Sequence, residues 1–181
     1  MILDDYLNNY EQGLREHLLR MLTSMGLQDG KLLETPDITE LWDQLVQEYV
    51  TDAVPEIAKY PMVSLGWAMY LGMAVARFWD EDWEKAKAEP NLYVYLRDRR
   101  GFDYMDEYIR EQVLRLEGTD FDQAERTVQA CAQQVLTQIR KEQIEPQSPT
   151  AFHVYVRSIK TLYICGAAIE LRQLGYKLEK L

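Results

Sequence analysis

Two groups of carboxylates offer the most direct chemistry in this sequence. Asp80, Glu81, Asp82 and Glu84 crowd one segment, and Asp103, Asp106, Glu107 and Glu111 another. Glu81 and Glu84 are three apart, as are Asp103 and Asp106, so on helices each pair projects from one face. Two such pairs on facing helices would hold Mg²⁺ or Mn²⁺ through oxygen ligands and leave water free for phosphate hydrolysis. The plain alternative is a solvated acidic face needing no cofactor, and the spacing alone does not displace it.

Arginines supply a second set of candidates. Arg77 is the only charge between Lys59 and Asp80. Pointing inward, it must be paired, because an unpaired buried charge costs several kcal/mol. At a rim it would snorkel toward a carboxylate of a neighbouring helix, and in a pocket it would anchor a ligand carboxylate or phosphate. Arg97, Arg99 and Arg100 precede Gly101 and the expected start of the next helix, where free amides and the helix dipole suit an anion. Asp98 and Asp103 beside them favour simple local neutralisation.

The carboxylate spacing is similar to the Glu-x-x-Glu … Glu-x-x-Asp arrangement of the all-α nucleotide pyrophosphohydrolases. The likeness covers only the stretch from Glu81 to Asp106 and puts Asp103 where that pattern has Glu. It implies divalent-metal-dependent phosphohydrolysis as one alternative function and stops short of membership. Aromatic residues concentrate in the same half of the chain. Trp67, Tyr70, Tyr93 and Tyr95 would line a pocket or an interface, where a ring buries area while its polar tip stays wet. Tyr93 and Tyr95 are expected to be the most exposed, and core filling accounts for most of the rest. His153 lacks a recognisable nucleophile nearby in sequence and is expected on the surface rather than as a general base.

Bulk composition narrows the classes. Thirty acidic against twenty basic residues leave a formal charge of −10, which repels nucleic-acid phosphates and anionic membrane surfaces. Only two His are present, and no Walker phosphate loop, Gly-x-Gly-x-x-Gly or Gly-x-Ser-x-Gly occurs. The uncharged run between Lys59 and Arg77 contains Pro61 and two Gly and is read as a buried core helix rather than a membrane span. Cys131 and Cys165 sit in apolar patterns, as free thiols suited to the cytoplasm.

The elements that must position these residues follow from period and punctuation. Leu3, Leu7, Tyr10, Leu14, Leu18 and Met21 mark a helix over 2–25 ended by Gly26. Asp37 and Glu40 suggest a capping box opening the second, which Pro55 ends or kinks. In the third, over 61–87, Ser64, Ala68, Gly72 and Ala76 form a small-residue stripe that lets another helix approach closely. Residues 91–100 are a short helix or a strand. Phe102, Met105, Ile109, Val113 and Leu116 predict an amphipathic helix, followed by one from about Thr119. Ser148 and Pro149 open the last helix, over about 149–178, despite a strand-like alternation at Phe152–Arg157.

The expectation is an all-α single domain over 1–181, a bundle of six or seven helices with 61–87 and 149–178 at its centre. The leading functional reading is a non-enzymatic cytoplasmic protein that associates with a protein partner or with itself. Its alternatives are the metal-dependent phosphohydrolase and a small-molecule binder with an aromatic pocket anchored by Arg77 or Arg97.

Overall fold

Two glycines allow two helices to touch backbone to backbone. In the computed structural model, which describes residues 2–177, α3 (Pro61–Lys87) and α7 (Pro149–Gln173) cross at Gly72 and Gly166. A Cβ on Gly72 would overlap the carbonyl oxygen of Tyr163, and one on Gly166 would overlap that of Met69. Ser64, Ala68 and Ala76 extend the seam along α3, all buried. The expected small-residue stripe is therefore used inside the chain, with α7 as its occupant.

Five further helices pack around this pair. These are α1 (Ile2–Ser24), α2 (Pro36–Ala53), α4 (Leu92–Arg100), α5 (Met105–Tyr108) and α6 (Gly118–Lys141). The fold is all-α, with seven helices and no strand among the described residues. None of these helices is long and apolar enough to cross a membrane. The segment 92–100 is helical, its first turn capped by Asn91, whose Oδ1 accepts from the Val94 amide. The strand-like run at 152–157 is helical too, with Ser148 Oγ accepting from the Ala151 amide ahead of it. The helix ends at Gln173 rather than near 178, and residues 178–181 lie outside the described part.

Buried polar groups fasten the outer helices to the central two. Tyr49 of α2 donates to the Ser64 carbonyl at 2.7 Å, while Ser64 Oγ donates to the Ala53 carbonyl and lies 2.7 Å from the Tyr155 hydroxyl. Tyr163 of α7 reaches back to the Ile38 carbonyl. In the α1–α2 connection, buried Gln28 donates to Ala168 O and accepts from the Leu33 amide. Each of these satisfies a polar atom whose burial alone would cost a few kcal/mol.

Three local expectations are corrected. Asp37 does not form a capping box: α2 starts at Pro36 with Thr35 in the cap position and no side-chain cap, which puts Asp37 inside the first turn, where its carboxylate accepts from Trp79 Nε1 at 3.0 Å. The continuous helix expected from Phe102 to Leu116 is a 3-10 turn, one α-turn and a π-turn over Ile109–Val113. Across this π-turn and just after it, Ile109, Arg110, Val113 and Leu114 are all buried. Finally, α3 breaks at Asp82 (φ −166°, ψ 87°), whose Oδ1 then caps the resumed turn at the Lys85 amide.

Gly72→Ala and Gly166→Ala are each expected to lose about 3 kcal/mol or more in urea unfolding, since backbone must move to admit the methyl. Gly13→Ala, in the middle of α1 with nothing near the new Cβ, is expected to gain about 0.5–1 kcal/mol.

Candidate functional site

Beyond Ala76 the small-residue seam runs out, and the next residue on α3 is Arg77. Opposite it on α7 stands Glu170, whose side chain is only 6% exposed. The pair lies in the wall of a cavity of about 250 Å³ between α3, α6 and α7. Met73, Leu114, Leu116 and Ile169 give the cavity an apolar lining, Gln123, Thr127 and Gln173 add neutral polar groups, and Asp120 stands at its α6 side.

Every polar contact of Arg77 is long. Nε donates to Glu170 Oε2 at 3.3 Å, one terminal nitrogen to Leu114 O at 3.4 Å, and the other lies 3.9 Å from Glu81 Oε1. A guanidinium carries five N–H donors and bonds well near 2.9 Å, so this one is held in place with donor capacity to spare. Glu170 takes one hydrogen bond, from Arg77, among the described residues. Burial pushes its carboxyl up from 4.5 to about 7; Arg77 pulls the other way, and Asp80 and Glu81 add to the rise.

Arg110, which the sequence did not single out, makes the opposite case. Its side chain is 3% exposed and bonds Asp106 at 2.9 Å and Glu125 at 3.3 Å. The rings of Phe121 and Tyr70 stand 4.1 and 5.4 Å from its guanidinium carbon. Burial raises the Asp106 carboxyl despite the arginine beside it. This arginine is used up by the fold. No sequence signal separates it from its charged neighbours, whereas Glu170 is the only charge between Lys160 and Arg172, the mirror of Arg77's isolation.

The four carboxylates proposed as metal ligands are not gathered on facing helices. The break at Asp82 separates Glu81 from Glu84. Glu81 is drawn to Arg77 and Arg115, and Glu84 to Lys87. Asp103 is exposed on the 3-10 turn, while Asp106 is buried against Arg110. Among the described residues no three His, Cys, Asp or Glu side chains are arranged to hold a metal ion.

Arg97 and Arg100 do not stand at a helix start. They occupy the last turn of α4, where cations complement the C-terminal end of the dipole. Arg97 pairs with Asp52 at 3.1 Å and with Asp98, and Arg100 with Glu111 at 2.7 Å. The aromatic set is dispersed rather than pooled. Tyr70 and Tyr93 are buried, the latter against expectation because its hydroxyl donates to Asp52 at 2.5 Å. Trp67 is half-buried and donates to Phe102 O, and half-buried Tyr95 carries Arg99 over its ring at 4.3 Å. None of the four lines the Arg77 cavity. His153 is exposed.

The chain matches no protein-family model, and neither the curated proteins nor the solved structures yield a match.

Between its ordinary value and 7, folded Glu170 holds more proton than the unfolded chain does, so its contribution to stability falls as pH rises through that window. Relative to Glu170→Gln, which keeps shape and hydrogen bonding, the native chain is expected to lose about 2–3 kcal/mol between pH 5 and pH 8, read from urea unfolding at each pH.

Proposed function

We propose that this protein binds a small molecule in the cavity between α3, α6 and α7. The observation that carries this reading is Arg77, a half-buried guanidinium at the cavity wall with only long bonds to protein. Small-ligand sites combine an apolar lining with a few polar groups that fix orientation, and Met73, Leu114 and Ile169 around Arg77 fit that description. The volume suits a ligand smaller than a drug-sized molecule. A cytoplasmic setting belongs to the proposal, supported by two free, buried thiols; burial lifts that of Cys131 to about 12, which keeps it protonated and unreactive.

Self-association is a second reading, favoured by one observation. Ile2 (91% exposed) and Phe152 (45%) are apolar side chains at the starting ends of α1 and α7. These helices run side by side in the same direction, as Tyr10–Ser158 and Gln28–Ala168 contacts show. A second copy of this end would cover them. A single-chain mass in light scattering at every concentration removes this reading.

Ligand-observed NMR with a library of small organic molecules tests the first. Hits are expected with the native chain and are expected to vanish in Ala124→Trp, which fills the cavity from a half-exposed position on α6. Hits that persist unchanged in Ala124→Trp overturn it, as does a library without hits.

A further inference from the structure

Arg77 and Glu170 form a pair that a ligand can open without stranding a charge. Glu170 is held by a single 3.3 Å bond at one oxygen, and Arg77 keeps the Leu114 carbonyl and Glu81 as partners when that bond is gone. An anion arriving at Arg77 would meet the carboxylate of Glu170 at once, in a site where like charges are poorly screened. The charge balance of the cavity is preserved only if one proton enters with the anion, and Glu170 is the group placed to hold it.

The surroundings favour that exchange. Glu170 faces Arg77, Asp80 and Glu81 from α3, with Arg115 3.7 Å from Glu81, and Asp120 from α6 lines the same cavity. Its own helix adds Arg172 two residues on, exposed. Three of the facing groups are acidic, so an uncharged Glu170 relieves repulsion as well as admitting the ligand. The carboxyl sits near 7 for the same reasons of burial and neighbouring charge, so the proton is to hand at neutral pH.

We propose that the ligand of this cavity is a small organic carboxylate with an apolar body, which displaces Glu170 from Arg77 while Glu170 takes up one proton from solvent. This rests on the reading of the cavity as a binding site. The ligand carboxylate accepts from the Arg77 guanidinium and from the newly formed Glu170 O–H, and the apolar body lies against Met73, Leu114 and Ile169. A neutral or cationic head group gains neither the arginine nor the exchange.

The test uses the full chain with hexanoate, hexanamide and hexylamine, titrated by amide chemical shifts from pH 6 to pH 9. Hexanoate is expected to bind and the other two not. Its Kd is expected to rise about tenfold per pH unit above 7.5, as the proton must be drawn from an increasingly dilute source. Glu170→Gln, a neutral stand-in for the protonated acid, is expected to bind hexanoate with a level Kd across that range. The double variant R77Q/E170Q removes both charges together, which spares the fold an unpaired ion, and is expected to lose hexanoate binding. A Kd independent of pH in the native chain, equal binding of hexanamide or hexylamine, or undiminished hexanoate binding by the double variant overturns this proposal while leaving the cavity a binding site. Binding of none of the three overturns it too, and the Ala124→Trp comparison then decides the cavity separately.

Discussion

The rest of the molecule depends on one steric condition: α3 and α7 must lie with their backbones in contact at Gly72 and Gly166. Close-packed interiors transmit small displacements rather than absorbing them. The crossing therefore fixes where residues further along both helices stand. Ser64 and Tyr155 meet on one side of it, and Arg77 and Glu170 on the other. The order of these pairs shows that the two helices run in the same direction. A wider separation would pull the arginine and the carboxylate apart and open the polar cluster that holds α2.

Two inward-pointing arginines, one buried and one half-buried, show how environment rather than residue type assigns a role. Arg110 is enclosed by two rings and two carboxylates, bonds Asp106 at 2.9 Å, and takes no part in lining the Arg77 cavity. Its work is to close the interior where the π-turn widens. Arg77 is half-buried, touches its partners at the far edge of bonding distance and borders a hollow. The difference follows from what surrounds each: the rings of Phe121 and Tyr70 lie against Arg110, while Arg77 borders a hollow whose apolar walls are the aliphatic Met73, Leu114, Leu116 and Ile169.

Much of the bundle was legible because Gly and Pro fall between segments of helical period, and the close approach of the central pair because small residues recur every four positions from Ser64 to Ala76. The segment 102–116 was not. Phe102, Met105, Ile109 and Val113 fit an α-period, and nothing in that pattern reveals that the turn widens or that Arg110 between them is buried. Arg77 stood out through its isolation among apolar residues. Glu170 carries the same mark, being the lone charge after a long uncharged stretch, but pairing the two required knowing which helices cross and in which direction. The acidic runs misled for a simpler reason: spacing of three implies a shared face only while the helix continues, and Asp82 ends it.

The partners in the central crossing, Gly72 and Gly166, are 94 residues apart in the chain. During synthesis α3 emerges well before α7 exists to cover it, so a growing chain carries an uncovered apolar rod through the making of α4 to α6. Contacts this distant in sequence are entropically costly to close and slow the search for the native state. The nascent protein is thus most vulnerable to sticking to its neighbours until α7 has emerged, and chaperone shelter matters most for that interval.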